Sequence, residues 1–236
     1  MARTASDNAQ QLKQALLQAV SRSNNPRQGN SPLEVERAVE AAAAALAAAN
    51  PTPAPAASPA LLGAWALLFS GRCRGELAAA AARAGAVADA AGGVSLQQAL
   101  QAASDSLYST FYQYLPVLAG SAVGARRGAA ATNLQVLRPG RVDNVVSTRG
   151  PLPLRLCVSG STEQATPSCV AVRFDSFTAR VGGLPEAALS LAWLRPLGYV
   201  DTLYLDAEMR ISVGDKGGLF VLRRAAGAEV GGDGGV

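Results

Sequence analysis

An α+β fold is predicted, in which an antiparallel β-barrel follows N-terminal helices and carries a helical insertion after its first strand. Three observations predict it. Before residue 51 apolar residues recur at helical spacing, and from Asn133 onward they alternate with period two between turn residues. Between those regions an apolar run at 62–69 is followed by a second helical stretch. Several short strands at this spacing favour closure, because a barrel leaves no exposed edge. A chain of 236 residues suffices for one large domain of this kind, and one is expected.

The elements follow in order. Leu12, Ala15, Leu16 and Val20 give a first helix over 7–23, stopped by Asn24-Asn25-Pro26. Ser31 precedes Pro32, with Glu34 three residues on, which is a capping-box spacing with proline at the first helical position. A second helix then runs through Val35, Val39 and an alanine run to about Asn50. Residues 1–50 are therefore assigned to N-terminal helices. The next stretch, PTPAPAASP, holds neither a regular helix nor a central strand, because its prolines remove donors and fix φ. Residues 51–60 read as a stiff linker. The barrel domain is assigned to 61–224 and a disordered tail to 225–236.

Strand one spans Leu62–Phe69, and simple alternation puts Trp65, Leu67 and Phe69 on one face. A helical insertion occupies 76–115, broken at Gly92-Gly93 and restarted by a cap at Ser95. Its stripe of Leu96, Leu100, Leu107, Phe111 and Tyr114 sits beside Tyr108 and Tyr112, in a chain only 5% aromatic. Two readings stay open for these rings: core plugging one end of the domain, or the lining of a lipid entrance or membrane interface. Strands are then expected at 134–137, 142–147, 152–158 and 169–177. A three-stranded meander over 199–224 turns near 206–208 and at 214–217.

Composition narrows the function. Hydrophobic residues make up 49% of the chain and charged residues 16%, so there is material for a core. The net charge of +4 is mild and its arginines are dispersed. The densest group, Arg126-Arg127 with Arg138 and Arg141, suits a solvated loop or weak attraction to anionic headgroups better than a nucleic-acid stripe, and no nucleic-acid partner is expected. No run approaches the ~18 apolar residues of a membrane span, so a soluble or peripheral protein is expected. The first residues, MARTASDNAQ, show no intact transit peptide, and a plastid-resident chain is expected here in trimmed form.

Histidine is absent, which removes Ser-His-Asp and Cys-His catalysis, His-ligated metal and the readiest general base. Neither a G-x-G-x-x-G nor a G-x-x-x-x-G-K motif occurs. Asp175, Asp201, Asp206 and Glu208 fall in strands and turns with no spacing that pairs two as acid and base. No catalytic residue, metal ligand or cofactor is assigned. Three cysteines without C-x-x-C spacing indicate neither a zinc site nor a secreted disulfide framework. Cys157 and Cys169 lie equally far from Glu163, so a hairpin centred there would let them face one another; they read otherwise as small buried hydrophobes.

From Gly198 to Leu222 the chain reads GYVDTLYLDAEMRISVGDKGGLFVL: a Tyr-Leu-Asp step, an Arg-Ile strand, a Gly-Asp-x-Gly turn and a Phe-Val-Leu strand. This resembles the signature that closes domains of the plastid lipid-associated protein (PAP)/fibrillin family. The likeness extends to the first helix, to Asn50-Pro51-Thr52-Pro53, to Leu-x-Gly-x-Trp at the first strand and to Gly140-Arg141-Val142-Asp143-Asn144-Val145-Val146. It departs at Val213, where an arginine commonly stands, and in the alanine-rich stretch 77–92.

The resemblance implies a lipocalin-like barrel, without enzymatic activity, that binds prenyl or acyl lipids such as prenylquinones or carotenoids. It implies a plastid (chloroplast) location at plastoglobules or thylakoid membranes. A second reading is a scaffold that coats plastoglobules or docks an isoprenoid-pathway enzyme. Alternation nominates Trp65, Leu67, Phe69, Phe174, Tyr204 and Phe220 as ligand lining. Signature residues Asp206, Arg210, Gly214, Asp215 and Gly217 read as structural: the glycines supply the positive φ of a tight turn, Asp215 bonds the turn backbone, and Asp206 stands ready to pair with Arg210. Gly63-x-Trp65 resembles the opening of lipocalins, whose tryptophan packs under an arginine of the last strand, here Arg223 or Arg224.

Overall fold

The computed structural model describes residues 2–23, 31–91, 131–191, 193 and 197–225. Helix α1 (Ala2–Ser23) lies against α2 (Pro32–Ala47). α2 begins as its sequence dictates. The Ser31 hydroxyl accepts from the Glu34 N–H, the Glu34 carboxylate accepts from the Ser31 N–H, and Pro32 sits where no N–H is needed. The proline-rich stretch forms two single 3-10 turns, Pro55–Ala57 and Pro59–Leu61, that deliver the chain to β1 (Gly63–Arg72). After α3 (Ala78–Ala91) come β2 (Ala131–Arg138), β3 (Arg141–Thr148), β4 (Leu154–Gln164) and β5 (Cys169–Val181). β6 (Ala187–Ser190), β7 (Leu197–Leu205), β8 (Met209–Gly214) and β9 (Gly218–Arg224) complete the sheet. The expected aromatic helix, with Tyr108, Phe111, Tyr112 and Tyr114, lies outside the described residues.

β1 pairs with β2 and β9; β2 to β5 follow one another; β5 pairs with β7, and β7 to β9 lead back to β1. Among the described residues all pairings are antiparallel, and the strands form a ring-like arrangement with three α-helices, an α+β architecture. β6 joins β5 at 176–179, beyond the segment 169–173 that pairs with β7.

Two cores result. Leu16, Val20, Val39, Ala43 and Leu46 of the helices pack against Phe69, Tyr204, Met209, Ile211, Val213, Leu219 and Val221 outside the ring. Inside it, Leu61, Trp65, Leu137, Val142, Val158, Val172, Phe174, Leu205 and Leu222 form a second cluster.

β-bulges decide which residue joins which core. Leu67 opposes Leu222, but Phe69 opposes Val221, so β1 carries one extra residue and its alternation flips. The same happens in β7, where Thr202 opposes Ser212 and Tyr204 opposes Ile211. Phe69 and Tyr204 consequently belong to the outer core instead of sharing a face with Trp65.

The β4–β5 hairpin also differs from expectation. Glu163 remains in strand, opposite Ala171, and the chain turns over 165–168, where the Ala165 and Thr166 N–H groups both donate to the Cys169 carbonyl. Cys157 therefore opposes Val145 and Thr178, and Cys169 opposes Asp201. All three cysteines are free thiols, and the register keeps Cys157 and Cys169 from forming a cross-strand pair.

Candidate functional site

The inner face of the ring is apolar at one end and polar in its middle. Leu61, Trp65, Val142 and Leu205 fill the apolar end. Trp65 is fully buried (0% exposed). Its Nε1–H donates to the Leu61 carbonyl at 2.8 Å, and the Arg224 guanidinium carbon stands 4.0 Å from its ring centroid. Arg224 also donates to the carbonyls of Leu62 at 2.6 Å, Ala60 at 2.5 Å and Ala207 at 3.2 Å. Of the two arginines suggested for this contact, Arg224 makes it. Gly63 is what permits the approach: it has φ +117°, and a Cβ there would come within 2.6 Å of Arg224 Nη1.

Above this plug, alternation points Gln135 of β2, Asn144 of β3, and Arg210 and Ser212 of β8 into the ring. Arg210 Nη2 donates to Gln135 Oε1, and Gln135 Nε2 donates to Asn144 Oδ1 at 2.8 Å, so a polar chain crosses the interior from β8 to β3. Thr202 and Ser212 share a hydroxyl hydrogen bond of 3.2 Å. Arg210 is 4% exposed, and its guanidinium carbon lies 5.2 Å from the Trp65 ring centroid. A cavity of about 40 Å³ adjoins this chain; its walls are Leu67, Val200, Phe220 and Leu222, and its polar side includes Asn133. That is room for a few water molecules or one small polar group.

Of the nominated lining residues, Leu67 and Phe220 border the cavity. Trp65 and Phe174 lie in the plug, and Phe69 and Tyr204 lie outside the ring. The sequence reading missed Asn133, Gln135, Asn144, Val200, Arg210, Ser212 and Leu222. For the five polar ones the available signal was their recurrence at positions where period two points inward, which a search for apolar lining passes over.

The signature residues hold the turns. Asp206 accepts from Lys13 Nζ at 2.5 Å, from the Tyr204 hydroxyl at 2.6 Å, and from the N–H groups of Glu208 and Met209 at 2.8 and 2.7 Å. The expected Asp206–Arg210 pair does not form, because Arg210 points into the ring while Asp206 caps the β7–β8 turn toward α1. Burial pushes the Asp206 carboxyl up, but these four hydrogen bonds outweigh it and hold the group below its ordinary value. Gly217 has φ +78°; Gly214 takes no positive φ and ends β8 as a buried residue. The Asp215 N–H donates to the Tyr199 carbonyl at 3.0 Å, and its buried carboxylate lies 3.7 Å from Lys216 Nζ.

Among the described residues no carboxylate or thiol lines the cavity, and its hydroxyl, that of Ser212, bonds Thr202 and not a base. Arg210 is the ionisable residue among its lining, and guanidinium stays protonated. Burial pushes the Cys73 thiol up to about 12 and that of Cys169 up to about 11, and raises that of Cys157, so none supplies a thiolate at neutral pH. Among the described residues no cluster of His, Cys, Asp or Glu is placed to hold a metal ion. No described helix is long and apolar enough to cross a membrane.

The described residues thus build a ring of strands with one end plugged, a small amphipathic cavity and a helical layer on its outer face. The PAP_fibrillin family model matches residues 10–223, and the chain belongs to that family, whose members are in general plastid lipid-associated proteins. No curated protein and no solved structure matches the chain.

Proposed function

We propose that the chain binds lipids or isoprenoids, without transforming them, at plastid membranes and plastoglobules. On this reading the ring is a lipocalin-like barrel whose interior takes the polar end of an amphipathic ligand. The observation that carries it is the cavity in which apolar walls from Leu67, Val200, Phe220 and Leu222 meet donors from Arg210, Gln135 and Asn144. Such a site suits a ligand with a polar end, as in a prenylquinone, better than a bare hydrocarbon, because polar walls are costly to bury against apolar surface alone. At about 40 Å³ the cavity admits no more than one polar substituent such as a ring carbonyl, so on this reading the rest of the ligand lies outside it.

The same small volume favours a second reading, a scaffold whose outer surface coats plastoglobules or docks an isoprenoid-pathway enzyme. One experiment separates them. The purified chain is offered a plastid lipid extract, repurified, and its retained lipid identified by mass spectrometry beside a Val200→Phe variant that fills the cavity. Retention of a carbonyl-bearing isoprenoid, lost in V200F, supports carriage in the ring; equal retention in V200F overturns the cavity assignment, and no retention favours the scaffold.

A further inference from the structure

One rim of the ring, at the β3–β4 loop and the β5–β6 turn, exposes large apolar side chains. Leu152 is 66% exposed, Leu184 65% and Leu189 56%. Single exposed leucines are ordinary, but these come from neighbouring segments. Leu152 lies over Gly182, where a Cβ would come within 2.9 Å of its Cδ1, and the Gly182 N–H donates to the Pro153 carbonyl at 2.7 Å. Leu184 sits in the turn thus held, its N–H bonded to the Val181 carbonyl, and Leu189 follows on β6, which is exposed along its whole length.

Arginines border this strip. Arg155 and Arg180 stand directly opposite in the β4–β5 register, and their guanidinium nitrogens reach the same carboxylate, Glu186, at 3.7 and 3.8 Å. Arg149 is exposed in the adjoining loop. Two guanidinium groups thus share one carboxylate with a third cation in the next loop, and like charges held opposite one another favour a further anion. The cavity lies toward the same rim: Asn133 in its wall opposes Val146, two residues before Thr148, where the loop begins.

We propose that this rim docks on an anionic lipid surface, with Leu152, Leu184 and Leu189 entering the headgroup layer and Arg149, Arg155 and Arg180 facing lipid phosphates. The inference rests on the lipid-associated reading above and adds the face by which the chain approaches a membrane. A lipid surface fits better than an added protein strand. The apolar residues come from three segments, β6 is only four residues long, and Pro185 beside it has no N–H for a ladder. Apolar side chains ringed by arginine are the arrangement that partitions into an interface and answers its negative potential.

The test is flotation of the full chain with vesicles of phosphatidylcholine, alone or mixed with phosphatidylglycerol, at rising salt. The parent chain is expected on the mixed vesicles and to leave them as salt is raised. L152E/L184E and R155Q/R180Q should each weaken that binding by about tenfold or more. Circular dichroism should remain that of the parent, and V200F should float normally. Variants that bind as the parent does, or a parent that ignores phosphatidylglycerol, would overturn the proposal. So would a concentration-dependent dimer abolished by L152E/L184E without vesicle binding, which would assign the rim to a second copy. Lipid retention from the extract, measured on the same variants, distinguishes a failed docking face from a failed cavity.

Discussion

Arg224 binds three carbonyls from two different connections and covers Trp65, so one side chain ties the chain before β1 to the β7–β8 turn. Arg224→Ala removes a cation–π contact and leaves those carbonyls short of a donor, an expected loss of about 2–3 kcal/mol. In a Trp193→Phe background, Trp65 emission should shift to the red as its end of the ring opens; unchanged emission and unfolding midpoint would refute the role. Asp206 gives a prediction in pH. Its folded value is depressed below the ordinary 3.8, so its contribution is present above about pH 4 and is lost as pH falls through the folded value. Lys13, opposite it, is lowered by burial and raised more strongly by Asp206 and Glu208, so its share persists below 10.5 and fades above. Asp206→Asn should cost about 1–2 kcal/mol at neutral pH. Urea midpoints measured downward from neutrality should also fall less steeply below about pH 4 than those of the parent.

Glu40 shows how an element is placed by one buried group. It is 3% exposed in α2, and its carboxylate accepts from the N–H groups of Arg74, Gly75 and Leu77 at 2.9, 2.8 and 3.1 Å. It thereby anchors the segment between β1 and α3 to the helical layer. Glu40→Ala would leave three donors unsatisfied and should destabilise the fold by about 2–4 kcal/mol. Hydrogen exchange should rise first at 74–77, and a uniform rise across the sheet would argue against a local anchor. The bulges act at the same scale. Each shifts a strand by one residue, which is why alternation from Trp65 reaches Leu67 correctly and fails at Phe69.

For the whole molecule, the outer face of β7, β8 and β9 is as apolar as the ring interior, and α1 and α2 cover it together with α3. A chain lacking residues 1–50 should therefore expose Met209, Ile211, Val213 and Val221 and aggregate, as light scattering would report; a soluble, folded remainder would show that the helices are dispensable.

The sequence by itself determined the capped start of α2, the turns at 139–140 and 214–217, the closing meander and the family, because caps, glycine and proline act locally and the signature is long; α1 begins at Ala2, before the Asp7 expected. It also determined the absence of histidine chemistry. Only the tertiary structure decided the β4–β5 turn position, the short strand β6, the inward turn of Arg210 away from Asp206, and the polar middle of the ring. Those depend on register and on bulges. A bulge is one residue of mismatch between two strands, so it is a property of the pair and is written in neither strand alone.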